Sequence, residues 1–273
     1  MGSRENRKSS NFIVQGGILA VAGIISRIIG LLYSIPMQNA IGDAGMGYYS
    51  AAFQIYSIML IISSYSLPVA VSKLVAAKTA RGHYKNARRV YQGSLLFALI
   101  TGGSTCLIVF FGADYLSGQL MSLDKSAIAL RVLAPTLLIV AIMGVMRGYF
   151  QGLGTMMPTA VSQLIEQIIN AVVSVAGALY LYRYGQKVAR LLLDNDYAAA
   201  YGAAGGTLGT CVGAFAGLLT LLVFYLLHKR DMSYNVRHDP MKMTESFGKV
   251  FLALVLTILP VILSTTIYNI SDI

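Results

Sequence analysis

Polar side chains that could do chemistry recur every three or four residues along one otherwise apolar run. The run is the fifth of its kind, at 159–182, and we call this set the α5 stripe; its members are Thr159, Gln163, Glu166, Asn170, Ser174 and Gly177. Steps of three and four residues return to the same side of an α-helix. The pattern therefore predicts a helix with one polar face, which either lines a water-filled cavity or forms a polar seam against another helix.

Arg27 is a second ionisable residue inside an apolar run. Arg27 lies in the first apolar run, at 12–35, and the same helix face also carries small residues. We call this set the first-arm stripe, after its place in the first run; its members are Gly16, Ala20, Gly23, Arg27, Gly30 and Ser34. If the helix begins near Phe12, Arg27 lies about 22 Å along it at 1.5 Å per residue. That position is just beyond the middle of a roughly 30 Å hydrocarbon layer. Small residues on this face predict close approach of another helix.

Two interpretations of these polar residues compete. In the packing interpretation, Arg27 and Glu166 neutralise one another or bond backbone carbonyls and so fix the helices together. In the functional interpretation, Arg27, Gln163, Glu166 and Asn170 line a substrate cavity. We favour the second, because ionisable residues within a membrane are functional candidates by default. A guanidinium suits a phosphate, since its planar fork donates two parallel hydrogen bonds and stays charged.

The elements that position these residues are predicted to be membrane-spanning helices. The chain has 273 residues, of which 56% are hydrophobic and only 12% charged, whereas a soluble domain carries roughly 25% charged residues. A spanning helix needs roughly 20 mainly apolar residues, and about seven runs qualify: 12–35, 48–71, 93–111, 127–146, 159–182, 202–227 and 250–270. The predicted fold class is an all-α, multi-pass membrane protein.

Basic residues are concentrated in alternate gaps between the runs. They precede the first run, fill the gap between the second and third, end the fourth, and fill the gap between the sixth and seventh. The positive-inside rule therefore predicts a cytoplasmic N-terminus. The net charge of +10 is a topology signal that also favours anionic membrane lipid, and no nucleic acid is expected as a partner because the loops lack a binding module. The predicted divisions are a cytoplasmic tail, a six-helix bundle, a cytoplasmic basic loop and a further helix, over residues 1–11, 12–227, 228–249 and 250–273.

Enzymatic chemistry is not expected. Cys106 and Cys211 lie within apolar runs and have no metal-ligand spacing, and no phosphate-binding motif of the G-x-x-x-x-G-K type is present. A membrane transferase acting on polyprenyl phosphates needs clustered Asp residues for Mg²⁺, and here the acids are scattered. We predict no catalytic residue, no metal site and no cofactor.

Several segments resemble the stage V sporulation protein B and polysaccharide-export (Wzx-like) family. This family belongs to the multidrug, oligosaccharidyl-lipid and polysaccharide flippase superfamily. The segments that carry the resemblance lie between residues 26 and 167: SRIIG at 26–30, IGDAGMGYY at 41–49, SLPVAVSK at 66–73, RGYFQG at 147–152 and MPTAVSQLIEQ at 157–167.

The resemblance implies two six-helix lobes with alternating access between them. This sequence would supply the N-lobe and the first helix of the C-lobe, ending at 269–273, so that it is either truncated or completed by a second chain. The implied cargo is a polyprenyl-pyrophosphate-linked saccharide or peptidoglycan precursor, carried across the bacterial cytoplasmic membrane. In related lipid II flippases an arginine in a Ser-Arg-x-x-Gly setting contacts the central cavity, which maps to Arg27. A further arginine of those flippases is replaced here by Tyr33, and one of the sporulation relatives by Ser34.

Two other functions remain open at this point. A cation-coupled multidrug antiporter of the same superfamily predicts an acidic cavity, which Glu166 favours and Arg27 opposes. A non-transporting membrane scaffold becomes the better interpretation if a half-length chain is the natural product.

Overall fold

The computed structural model describes residues 2–239 and 245–271, with side chains at 14–229, 234, 236–239 and 245–260. Helices account for nearly all of the described residues. In chain order they are α1 (Gly2–Ser63), α2 (Leu67–Thr79), α3 (Tyr84–Met121), α4 (Ser126–Gly152), α5 (Met157–Leu192), α6 (Asp196–Arg237) and α7 (Phe247–Ser271).

The helix α1 is two helices joined at Gly42. This residue has φ 67° and ψ −179°, a left-handed region that favours glycine because a side chain there would clash with the backbone. Tyr33 and Tyr49 show that the chain folds back at this point. Their hydroxyl oxygens lie 3.5 Å apart, whereas sixteen residues of straight helix would separate them by about 24 Å. We call residues 2–41 the first arm and residues 43–63 the second arm.

Successive spans run in opposite directions through one bundle, and the second arm and α2 together form one of these spans. At one end, the Met156 backbone N–H donates to Gln15 Oε1 at 3.0 Å, and the Thr79 hydroxyl lies 3.2 Å from the Gly152 carbonyl oxygen. We call this end the N-terminal face. It carries the turn at 80–83 and the connection from α6 to α7, and the positive-inside rule assigns it to the cytoplasm. The turns at 122–125 and 193–195 lie at the opposite face.

Apolar side chains fill the bundle and also cover its outside. The helix α4 is central, with Leu130, Leu133 and Leu137 fully buried. Outward-facing residues such as Leu31 and Phe111 are 71% and 77% exposed, as expected where lipid is the solvent. Among the described residues, five helical stretches are long and apolar enough to span a membrane, and the first of them, Val14–Thr79, contains both arms and α2. The prediction of an all-α membrane protein is confirmed.

Several predicted bounds differ from the helices. The predicted tail at 1–11 is helical from residue 2, and residue 1 lies outside the described residues. The run at 48–71 is interrupted between Ser63 and Leu67, where α2 begins with a proline in its first turn. The predicted loop at 228–249 is helical up to Arg237 and again from Phe247; its residues 240–244, and residues 272–273 of the last predicted helix, lie outside the described residues. The predicted spans end where polar residues begin. The helices are longer because a helix can continue past the hydrocarbon layer into water.

Candidate functional site

The half of the α5 stripe farther from the N-terminal face is a buried seam. Asn170 is 7% exposed and Ser174 is fully buried. The Ser174 hydroxyl lies 2.9 Å from Asn170 Oδ1 and 2.8 Å from the Gly206 carbonyl oxygen, and it can donate to either. These bonds satisfy polar groups that would be costly to leave unpaired in lipid.

Glycines of α6 make the seam possible. A Cβ added to Gly205 would lie 2.1 Å from the Gly177 carbonyl oxygen, and one added to Gly209 would lie 2.1 Å from Ser174 Oγ. Only helices with small residues at the contact approach this closely. Asn170 and Ser174 therefore lie in a polar seam against α6.

The half of the α5 stripe nearer the N-terminal face holds a half-buried ion pair. Arg147 Nη2 lies 2.7 Å from Glu166 Oε2, and the two side chains are 17% and 18% exposed. Arg147 Nε also donates to Ser162 Oγ at 3.2 Å. An added Cβ at Gly217 of α6 would lie 3.4 Å from Glu166 Oε2, so this glycine leaves room for the carboxylate. The pair joins α4 to α5.

Arg147 is the polar contact that sequence reasoning missed. It belongs to the RGYFQG segment, where it was counted only as a basic residue at the end of a span. The short turn at 153–156 between α4 and α5 could have indicated this contact. Arg147 and Ser162 lie at similar distances before and after that turn, so a long guanidinium side chain reaches the start of α5.

Arg27 lies on an open side of the first arm. Its side chain is exposed, and it makes no ion pair or hydrogen bond with the described residues. The glycines of the same stripe are uncovered too, because an added Cβ at Gly16, Gly23 or Gly30 would meet nothing within 4 Å. The packing interpretation paired Arg27 with Glu166 or with backbone carbonyls, whereas in the structure Glu166 pairs with Arg147. Among the described residues, no helix covers the first-arm stripe.

The four predicted cavity residues are therefore not brought together. Glu166 and Asn170 lie on the α5 side that faces α6, and Gln163 is half-buried with no hydrogen bond among the described residues. A cavity of about 410 Å³ does lie between the first arm and α5, but its lining is apolar: Gly17, Ile18, Val21, Ala22, Ile25, Met157, Ala160, Val161 and Leu164. It offers no group that would bind a charged headgroup.

Charged residues at the opposite face close the far end of the α5–α6 seam. Lys125 pairs with Asp194 and lies 3.3 Å from an oxygen of Asp196. The hydrogen bond from Lys125, helped by the backbone N–H of Asp196, lowers the pKa of Asp194. Partial desolvation lowers the pKa of Lys125, but its bonds to Asp194 and Asp196 raise that pKa by more. No group of three metal-binding side chains is present among the described residues.

Comparison with known proteins decides the family. The sequence model of the family described as "polysaccharide biosynthesis protein" matches residues 14–271. The chain belongs to that family. As a member of the polysaccharide biosynthesis protein family, with this helical bundle, it is a multi-pass protein of the bacterial cytoplasmic membrane.

Two relatives of this family member come from Bacillus subtilis. Lipid II flippase MurJ is 26% identical over 266 residues, which cover 93% of this chain and 47% of the relative. Stage V sporulation protein B is 29% identical over 256 residues, which cover 93% of this chain and 46% of the relative. The chain thus spans about half the length of these relatives.

Solved structures agree on the fold. A crystal structure of a MATE protein in the straight conformation superposes with a TM-score of 0.73 at 17% identity, covering 97% of this chain and 55% of the other. A MOP superfamily transporter from Pyrococcus furiosus superposes with a TM-score of 0.71, also at 17% identity, covering 97% of this chain and 54% of the other. At such identities the likeness establishes the fold alone, and it covers about half of each solved chain.

Proposed function

We propose that this chain is the N-lobe of a flippase that moves a lipid-linked oligosaccharide or peptidoglycan precursor across the cytoplasmic membrane by alternating access. The family membership and the names of the two Bacillus subtilis relatives supply the substrate class. The observation that carries the proposal is Arg27, an exposed arginine within a membrane span and without a carboxylate partner among the described residues.

The position of Arg27 suits a headgroup at mid-membrane depth. Gln15 marks the N-terminal face through its bond to Met156, and Arg27 lies twelve residues farther along the first arm, or about 18 Å. That is near the middle of a roughly 30 Å hydrocarbon layer. An unpaired guanidinium there is costly unless it meets an anion or water, and a pyrophosphate between two lobes would meet that need. Gln163 remains a candidate for a neutral contact with the saccharide.

A second lobe is the proposed partner, supplied by further sequence or by a second chain. The first-arm stripe offers it a surface of small residues, Gly16, Gly23 and Gly30 among them, on which none of the described residues packs. Because substrates of two-lobe transporters lie at the interface between repeats, a partner on this surface would enclose Arg27. The polyprenyl tail would stay in lipid.

The multidrug antiporter is less well supported. It needs an acidic cavity, yet Glu166 is paired with Arg147 at 2.7 Å and faces α6 rather than the side of the first arm that carries Arg27. No observation singles out the scaffold.

Arg27→Ala tests the proposal in the assembled two-lobe protein. The measurement is the transfer of a fluorescent polyprenyl-pyrophosphate saccharide across proteoliposome membranes, followed by quenching from outside. We expect Arg27→Ala to reduce the rate at least tenfold, and Arg27→Lys to retain part of it. Arg131→Ala is the matched control, because Arg131 lies near the opposite face, is partly exposed and pairs with Asp114. Normal transfer by Arg27→Ala would contradict the proposed role of Arg27, and no transfer by the unaltered assembly would contradict the function itself.

A further inference from the structure

The connection from α6 to α7 is tied to α2 and α3 on both sides of its middle. On the α6 side, the Lys85 backbone N–H donates to Asp239 Oδ2 at 2.9 Å, and Lys85 Nζ donates to the Asp239 carbonyl oxygen at 2.8 Å. Asp239 is only 4% exposed. On the α7 side, Lys78 Nζ lies 2.5 Å from Glu245 Oε1, and the Glu245 backbone N–H donates to Asn86 Oδ1 at 3.3 Å.

An aromatic contact continues the attachment. The Arg89 guanidinium carbon lies 3.6 Å from the centre of the Phe247 ring, a cation–π contact. One turn farther, Val250 packs on Gly93, where an added Cβ would lie 2.8 Å from Val250 Cγ1. We call Asp239, Glu245 and Phe247 the strap, since each of them holds the connection against the N-terminal face of α2 and α3.

Beyond the strap, the described part of α7 makes a narrow contact with the bundle. Of its described side chains, at 247–260, the buried apolar ones are Val250, Leu254 and Ile258, whereas Leu252 and Leu256 are 60% and 62% exposed. This row packs mainly on α3. Because lipid is as apolar as these side chains, their burial alone favours docking only weakly, and the charged contacts of the strap add to it. Lys78 and Glu245 are 25% and 19% exposed, so water and salt reach their ion pair and can weaken it.

We propose that the strap is a releasable clasp between the six-helix bundle and α7, closed in this structure. Its charges select the docked position of α7, and their separation lets α7 leave α3. This inference concerns the chain itself and holds whatever the cargo is. The statement that the clasp opens during transport rests on the proposed function and has its own test below.

Spin-label distances between α3 and α7 test the clasp in the chain itself, in lipid nanodiscs. Labels at Leu99→Cys and Leu256→Cys, both exposed positions, are placed after Cys106 and Cys211 are replaced by alanine. We expect one narrow distance to dominate in the parent, and the population of a second, longer distance to rise about fivefold in Lys78→Glu.

Glu245→Lys should have the same effect, and the double charge swap should restore the narrow distance. Lys73→Glu is the matched control, because Lys73 is exposed on the same helix and makes no ion pair with the described residues. Identical distributions in all variants, or no rescue by the swap, would overturn the clasp.

Cross-linking tests release in the two-lobe assembly. Lys78→Cys with Glu245→Cys is joined by a reducible thiol cross-linker, and transfer of the fluorescent polyprenyl-pyrophosphate saccharide is measured before and after reduction. We expect the joined protein to lose transfer and to regain it on reduction. Lys125→Cys with Asp194→Cys, joined within the bundle at the opposite face, should transfer normally throughout. Undiminished transfer by the joined strap would overturn release, whereas an inactive unaltered assembly would count against the proposed function and leave the spin-label result standing.

Discussion

Two stripes of small and polar residues, with the same three- and four-residue spacing, have opposite surroundings in this bundle. The α5 stripe is pressed against the glycines of α6, so closely that Gly205 could not carry a side chain. The first-arm stripe faces away from every described helix, and Gly23 has open space around it. Spacing predicts that residues share a helix face, but it does not predict what the face contacts. The buried stripe builds the fold, and the open one is available for a partner or a substrate.

Leucine at matched glycines should separate the two stripes most widely. In Gly205→Leu the new side chain would clash with the Gly177 backbone, and we expect a loss of about 3 kcal/mol or more because overpacking forces the helices apart. In Gly23→Leu, measured in the isolated chain, we expect a change below about 0.5 kcal/mol. Thermal unfolding of both variants in one detergent gives the comparison. Equal loss in the two would mean that the first-arm stripe is already covered.

Replacing Arg147 and Arg27 in turn should give the next largest difference in stability between the two stripes. Arg147→Met leaves Glu166 half-buried without its cation, which costs about 3 kcal/mol for a buried pair. Arg27→Met removes a charge with no partner among the described residues, so stability should stay level or rise. Denaturation of the two variants in the same lipid–detergent mixture measures this. The double variant Arg147→Met, Glu166→Met should recover most of the loss, and a double variant as unstable as the single one would argue against direct pairing.

Two amides of the α5 stripe provide a finer contrast. Asn170→Ala removes the acceptor of the Ser174 hydroxyl, and we expect a loss of about 1 kcal/mol. Gln163→Ala removes a half-buried side chain with no hydrogen bond among the described residues, and stability should hardly change. Melting temperatures are the measurement. If Gln163→Ala proved the more damaging, the boundary between seam and open surface would lie elsewhere on α5.

The sequence was sufficient for the fold class but not for the pairing of charges. Apolar runs of sufficient length dictate helices in a membrane, and the alternation of basic gaps dictates their directions, so the bundle follows from composition. The rotation of each helix about its own axis does not follow from composition, because it depends on which neighbouring helices approach most closely. The α6 glycines from Gly205 to Gly217 draw α5 inward and turn Glu166 towards Arg147. That choice between neighbours is a tertiary property, and the spacing within a single span does not contain it.

The break at Gly42 and the strap also depend on more than one element. Gly42 lies in a glycine-rich segment, IGDAGMG, between the first two predicted spans, and the structure continues as helix on both sides of this single left-handed residue. Lys78 and Lys85 counted only among the basic residues between the second and third runs, and Glu245 was not singled out. Their pairing depends on where the end of α6 and the start of α7 meet the α2–α3 turn, which no local pattern specifies.

The smallest expected difference is in how the stability of the two regions depends on pH. Asp194 at the far end of the α5–α6 seam has its pKa lowered from 3.8 by Lys125, so its folded carboxyl binds a proton less readily than the unfolded one. Its stabilising contribution is therefore full above the unfolded pKa and is lost as the pH falls through the lower folded value. The difference in melting temperature between the parent and Asp194→Asn should be steady from pH 5 to pH 7 and should shrink below about pH 4. Arg27 has no carboxylate partner among the described residues, so the corresponding difference for Arg27→Met should not change over this range. A difference for Arg27→Met that also shrinks in acid would show that an acidic group faces the first-arm stripe and that the stripe is less open than its geometry indicates.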